Sequence, residues 1–215
     1  MLIQLQQKYL RTVAPLTRAY LECKRGIAAI EFAFVAPIMI IFYFGMSEIA
    51  LAITADRQIS HTASVVGDLT TQVASVNQNE MESIMTAALM VIGAEADDRA
   101  DVSIELNSYE LNADGSTIDR IGYARMGPAI SAGGPATFDP NSISDMISAT
   151  SGAVVARVNF KYVPVTAKFV ETVTLSETFV LKPRRSISVS FDETGNTTFT
   201  CTANTDLSVT CSSSA

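Results

Sequence analysis

The chain of 215 residues has few of the residues that enzymatic sites use. It contains one histidine, His61, and three cysteines, and it lacks the Gly-x-Ser-x-Gly and Cys-x-x-Cys patterns of nucleophilic and metal or redox sites. The acids Asp97, Asp98 and Asp101 would bind calcium only weakly, and a solvated turn between a helix and a strand explains them better. The sequence therefore predicts a protein that is not an enzyme and uses no metal or cofactor.

Charged residues are also scarce, at 17% of the chain against 48% apolar residues. None occurs among the sixteen residues from Phe32 to Ser47. If Glu31 and Glu48 are allowed at its edges, the apolar run extends from Ile27 to Ile53. A helix of that length reaches about 40 Å, more than the roughly 30 Å of a bilayer core. The run is predicted to be a transmembrane helix.

The charges on the two sides of this run differ in sign. Before it, five basic residues face a single acid, Glu22, whereas after Ile53 nineteen acids face ten basic residues. Positive charge on the N-terminal side alone predicts a single-pass membrane protein with a cytoplasmic N-terminus and the rest of the chain outside. The acidic outer part argues against nucleic acid as a partner, because phosphate binding requires a basic surface.

The positions of the cysteines agree with this orientation. Cys23 falls on the cytoplasmic side, where thiols stay reduced, while Cys201 and Cys211 fall in the exported part, where they can pair. Short alternating stretches flank a turn near Asp206, so a hairpin would place the two sulfurs opposite each other. We predict a disulfide between Cys201 and Cys211, and the alternative is two unrelated thiols.

Two general interpretations of the N-terminus must be weighed. A cleavable signal peptide would end at Ala50-Leu51-Ala52 and release a secreted periplasmic enzyme or binding protein. Against it, the apolar run is longer than such signals, contains Pro37 and follows about 25 residues. An uncleaved single-span anchor explains length and orientation, but it leaves Glu31 unexplained, since a carboxylate in a membrane helix usually marks a function or a partner.

A third interpretation comes from the run Lys24–Phe32, which reads KRGIAAIEF. A basic leader that ends in Gly26, with Glu31 as the fifth residue after it, resembles type IV prepilins. The continuation through Val-Ala-Pro37 is similar to the TadE/TadG-like proteins of the tight-adherence (Tad, or Flp) pilus system. A second block, residues 154–185, resembles the paired strands and Pro-Arg ending of TadE-like domains. The Asp-x-Ser-x-Ser motif of a von Willebrand A domain is absent, so the resemblance is to the short TadE-like form.

This resemblance implies a function and a set of partners. A prepilin peptidase would cleave after Gly26 and make Ile27 the first residue, and Glu31 would then meet the N-terminal amine of a neighbouring subunit, with Phe32 beside it. The chain would be a minor pilin, pseudopilin or assembly component in pilus biogenesis and adherence. Its partners would be the peptidase, other pilins or pseudopilins, the Tad assembly platform and membrane lipid.

Two residues of the helix have expected backbone effects. Gly26 lacks a Cβ and disfavours helix, so it should present an extended, unhindered site to a peptidase. Pro37 removes the helical hydrogen bond to the carbonyl of Ala33, and we expect it to kink or loosen the helix.

The exported part is predicted to be α+β. One apolar stripe continues the first helix, and a second helix follows a cap at 77–79 with Glu82 as the capping carboxylate. From Asp101 the period changes to two, which predicts an antiparallel sheet packed on the helices. A loop covers Gly127 to Asn141, and a short helix covers Ser142 to Ile147.

The predicted divisions are a leader at 1–26, a membrane helix at 27–53, a helical region at 54–99 and a β-rich domain with a disulfide hairpin at 100–215. The apolar positions behind these predictions are Ile59, Ala63, Val66, Leu69, Val73 and Val76 in the first stripe, Met81, Ile84, Met85, Ala88, Leu89 and Ile92 in the second, and Val102, Ile104, Leu106, Ile118–Tyr123, Val154–Tyr162, Val173–Leu181, Ile187, Val189 and Phe191 in strands.

Overall fold

The computed structural model describes residues 25–93, 101–128, 138–164, 167, 171–192, 198–204, 206 and 208–214. Most of the predicted leader, with Cys23, lies outside these ranges, as do Asp97, Asp98 and most of the Gly127–Asn141 loop. The chain divides into two compact units, Met1–Ile49 and Ala50–Ala215. The predicted α+β fold class is confirmed: a long N-terminal apolar helix, a second helix and a sheet.

Helix α1 runs from Arg25 to Thr71 and contains Pro37 within its length. It ends earlier than its apolar stripe predicted, so Val73 and Val76 lie beyond it. The hydroxyl of Thr70 donates to the carbonyl of Val66 and that of Thr71 donates to the carbonyl of Asp68. These side chains compete with the backbone for the last carbonyls, which favours the end of the helix here.

Helix α2 spans Gln78–Ile92, and the structure corrects the predicted cap. The side chain of Asn77 accepts a hydrogen bond from the N–H of Glu80, and the Glu80 carboxylate accepts one from the N–H of Asn77. Glu80, three residues after the cap, therefore completes the capping box, and Glu82 does not. All six residues of the predicted stripe are buried, and the helix ends at Gly93 in the left-handed region (φ 67°).

Six strands form the main sheet, in the order β5-β4-β2-β3-β7-β8. The strands are β2 (Val102–Leu111), β3 (Ile118–Met126), β4 (Ala153–Tyr162), β5 (Val173–Leu181), β7 (Thr198–Ala203) and β8 (Val209–Ser214). A separate parallel pair consists of β1 (Ser75–Val76) and β6 (Ser190–Phe191). A 3₁₀-helix at Pro140–Met146 takes the place of the short helix predicted at Ser142 to Ile147.

The sheet is mixed, which the sequence did not predict. Strand β7 runs parallel to β3, with Tyr123 opposite Thr198, whereas the other neighbours are antiparallel. Strands β5, β4, β2 and β3 alternate in direction. Strand β7 therefore runs antiparallel to β5 and parallel to β3. Ile187 and Val189, expected to lie in a strand, belong to this connection, and only Ser190–Phe191 is extended and paired.

The core of the second unit lies between one face of the sheet and the two helices. Ile59, Ala63 and Val66 of α1 are buried, as is the apolar stripe of α2. Facing them are alternate strand residues, among them Ile104, Leu106, Val154, Ala156 and Val158. A smaller apolar cluster on the other face joins Tyr109 and Val155 to the 3₁₀-helix.

Candidate functional site

The described part of α1 starts with the two residues assigned to processing. The backbone of Gly26 is helical rather than extended as expected. Ile27 follows with 55% of its surface exposed. Glycine costs about 1 kcal/mol relative to alanine inside a helix. Gly26 therefore lowers the stability of the helix at this position.

Glu31 and Phe32 lie one turn further along. Glu31 is four residues after Ile27, so both side chains occupy the same face of α1. Both Glu31 and Phe32 are exposed, Phe32 at 72%. Among the side chains that the structure describes, none forms an ion pair or hydrogen bond with the Glu31 carboxylate. A carboxylate within an apolar helix that has no counter-charge among the described side chains is suited to bind one from another molecule.

The surface around Glu31 is apolar from Ile27 to Met46. Large side chains from Ile27 to Met46 are half to three-quarters exposed. Within the described residues, one helix, Ile27–Thr71, is long and apolar enough to cross a membrane, and its most apolar stretch has no burial inside the protein. Such a surface would be covered by lipid or by other helices. Pro37 lies in the middle of this stretch.

Arg184 binds the last turn of α1 in the second unit. Its guanidinium pairs with the carboxylate of Asp68, and its backbone N–H donates to the carbonyl of Thr71 at 3.1 Å. An acid in the last turn of a helix is unfavourable beside the helix dipole, and a cation offsets that. Sequence reasoning noted the Pro-Arg ending but missed its partner. The signal was Asp68 itself, a carboxylate placed where a helix disfavours one.

Gly67, one residue earlier, brings α1 close to the sheet. A Cβ added at Gly67 would touch the side chain of Leu181 and lie 3.3 Å from the Cβ of Ala156. The helix can approach strands β4 and β5 this closely only because the residue has no side chain. Gly67 and Arg184 together hold the end of α1 against the sheet.

The C-terminal hairpin contains the predicted disulfide. Cys201 and Cys211 are paired opposite each other in β7 and β8, and their sulfurs are bonded. The N–H of Cys211 donates to the Glu82 carboxylate at 2.9 Å, and its carbonyl accepts from the side-chain amide of Gln78 at 2.7 Å. Two side chains of α2 thus bind the outer edge of β8. Sequence reasoning missed this role because it assigned Glu82 to the helix cap.

A polar group lies on the sheet face opposite the helices. Arg157 and Glu105 form an ion pair at 3.7 Å, with 5% and 11% of their side chains exposed. The hydroxyl of Tyr123 donates to Glu105 at 3.3 Å. Burial raises the pKa of Tyr123 above its usual value, and the negative charge of Glu105 raises it further. At neutral pH this tyrosine stays protonated and acts as a donor.

The described residues contain no cluster of three or more histidine, cysteine or acidic residues that could hold a metal. His61 is exposed on α1. Asp101 forms an ion pair with Lys161 at 3.6 Å.

Taken together, these features define a class of protein: one N-terminal apolar helix, compatible with single-pass membrane anchoring, followed by an α+β unit. Residues 26–67 match the family model described as TadE-like protein, which supports membership of the TadE-like family. The match begins at Gly26, and the second block noted in the sequence, residues 154–185, lies outside it. No curated protein and no solved structure matches the chain.

Proposed function

We propose that this chain is a minor pilin, pseudopilin or pilus-assembly component of a Tad-type (Flp) pilus. A prepilin peptidase cleaves it after Gly26, and α1 anchors it in the bacterial inner membrane. The observation that carries the proposal is Glu31, an exposed carboxylate in an apolar helix without a counter-charge among the described side chains. The TadE-like match that starts at Gly26 supports the pilus context.

The proposed role of Glu31 follows from the chemistry of cleavage. Cutting after Gly26 creates an ammonium group at Ile27, with an ordinary pKa near 8. That amine and the Glu31 carboxylate then face lipid, where a charge without a partner is costly. Attraction between unlike charges grows as water is excluded, so the carboxylate of one subunit binds the amine of its neighbour during assembly. Exposed Phe32 adds apolar contact at the same place.

The orientation and partners follow from the charge distribution. The basic leader stays in the cytoplasm, and the acidic α+β unit lies outside, in the periplasm or on the pilus. Other pilins or pseudopilins and the Tad platform are the protein partners, lipid surrounds α1, and nucleic acid is not a partner. The chain acts through binding and not through catalysis.

Two other interpretations explain less. Release near Ala52 would require signal peptidase to cut within α1, which is helical through this position, and within the residues of the TadE-like match. A plain uncleaved anchor accounts for the apolar surface, but it does not explain Glu31. Neither interpretation uses the spacing between Gly26 and Glu31.

The mass of the native polypeptide distinguishes the three interpretations of the N-terminus. Purification from membranes and from sheared pili, followed by intact-mass and N-terminal peptide analysis, should give a chain that begins at Ile27. A chain that begins at Ile53 would show secretion, and one that retains Met1 would show an uncleaved anchor. Either of these results would overturn the proposed processing.

A further inference from the structure

A groove opens at one end of the second unit. Its walls are α1 from Leu51 to Ile59, the end of α2 at Ile92 and Gly93, and the end of β4 from Phe160 to Val163. Its volume is about 410 Å³. Leu51 belongs both to this groove and to the apolar run Ile27–Ile53, which is predicted to cross the membrane.

Exposed apolar side chains occur at the groove. Among the described residues of this unit, six large apolar side chains are exposed: Leu51, Ile53, Met90, Val163, Val173 and Ile187. Leu51 and Val163 line the groove, and Val173 pairs with Tyr162, another lining residue. Ile187 lies in the connection after β5. Exposed apolar side chains beside a groove indicate a surface that is covered in use.

The polar residues at the groove suit a lipid–water interface. Lys161 and Tyr162 follow Phe160 at the end of β4, and Thr54 and Gln58 lie on α1. The Lys161 side chain is 53% exposed while paired with Asp101, so its ammonium can also face a phosphate. Lysine and tyrosine are common at this level of membrane proteins, because each combines an apolar body with a polar end.

We propose that the groove holds a membrane phospholipid, with acyl carbons against Leu51, Ile92 and Val163 and the phosphate near Lys161. The proposal rests on membrane insertion of α1, as in the proposed function. Lipid is favoured over a second copy of the chain because Leu51 lies in the run predicted to be in the bilayer. In the bilayer, lipid surrounds such a residue at every protein concentration, whereas contact with a second copy depends on that concentration.

Contact quenching by labelled lipid tests this directly. Full-length chain carrying Cys23→Ser and Val163→Cys is labelled with bimane and reconstituted in phosphatidylethanolamine–phosphatidylglycerol liposomes. Part of the lipid carries a nitroxide near the ester end of an acyl chain. Ile187→Cys is the matched control, since Val163 and Ile187 are 49% and 51% exposed. Phe42→Cys, within the apolar run, reports insertion of α1.

Bimane at position 163 should be quenched severalfold more than bimane at position 187. Bimane at position 42 should be quenched by lipid that carries its nitroxide deeper in the bilayer. Equal quenching at 163 and 187, with 42 quenched, would overturn the lipid site and leave membrane insertion standing. Absence of quenching at 42 would overturn both. A disulfide between two Val163→Cys chains, with position 163 unquenched, would identify a second copy as the occupant and refute the lipid.

The phosphate contact has its own test. Quenching at position 163 by nitroxide-labelled phosphatidylglycerol and by labelled phosphatidylethanolamine should both fall in the Lys161→Gln variant, because both lipids carry a phosphate. Unchanged quenching by both lipids would refute the assignment of the phosphate to Lys161.

Discussion

The guanidinium of Arg184 binds the carboxylate of Asp68 across 116 residues of sequence, at the point where α1 ends. The same residue also donates its backbone N–H to the carbonyl of Thr71. The backbone bond persists when the side chain is replaced, so substitution isolates the ion pair. Because both side chains are partly exposed, at 61% and 35%, water screens their attraction.

We expect Arg184→Gln to lower the free energy of unfolding by about 0.2–1 kcal/mol, the range of exposed ion pairs. Chemical denaturation in detergent measures it, and a double-mutant cycle with Asp68→Asn gives the coupling energy. Arg185→Gln is the matched control, one residue away and also exposed. A loss as large for Arg185→Gln, or no coupling to Asp68, would contradict the role of the pair.

The hairpin disulfide should be present in the exported protein. A non-reducing digest should yield one peptide that contains both Cys201 and Cys211, and two alkylatable thiols would refute the bond. Paired substitution of the two cysteines by serine should cost on the order of 2–3 kcal/mol, because closing a short loop restricts the unfolded chain. Cys23→Ser serves as the control and should leave stability unchanged.

Glu82 should protect the outer edge of strand β8. A hydrogen bond from an N–H to a carboxylate contributes about 1.5–3 kcal/mol, so Glu82→Ala should speed amide exchange at Cys211 by about tenfold or more. Hydrogen exchange followed by mass spectrometry measures it over Val209–Ser214. Glu80→Ala, which breaks the cap of α2 instead, should affect the first turn of that helix first. The idea fails if both variants leave β8 equally protected.

Gly26→Val should block maturation. The added β-branched side chain crowds the peptide bond that the peptidase must reach. The variant should run on a gel as the longer precursor. Gly45→Val is the control, since Gly45 lies in the same helix and a Cβ there meets nothing within 4 Å. Normal maturation of the Gly26 variant would refute the processing site.

Glu31→Leu should leave membrane insertion intact and impair incorporation into pili or complexes. Removing a carboxylate makes α1 easier to insert, so a loss of assembly would reflect the missing charge. Glu31→Gln, which keeps the size of the side chain, should fail in the same way, whereas Glu48→Gln should assemble. Immunoblots of membranes and sheared pili provide the measurement. Normal piliation with Glu31→Leu would count against the proposed pairing with a neighbouring amine.

Much of this protein is determined by local patterns. The apolar run Ile27–Ile53 predicts a membrane-crossing helix by length alone, and the period of the stripe in α2 predicts which of its residues are buried. Alternation predicts β2, β4 and β5. The pair Cys201 and Cys211 follows from a short hairpin. Each of these inferences uses residues that are close in sequence, where periodicity and spacing carry the information.

Other features depend on contacts between distant residues, and only the tertiary structure decides them. Glu82 has the spacing of a capping residue relative to Asn79. Its carboxylate instead accepts a hydrogen bond from the N–H of Cys211 in β8. Strand β7 pairs in parallel with β3, more than 70 residues earlier in the chain. The end of α1 depends on Arg184 as well as on its own threonines. Sequence patterning determined which faces are apolar, while the meeting of remote segments determined where elements end and which polar groups pair.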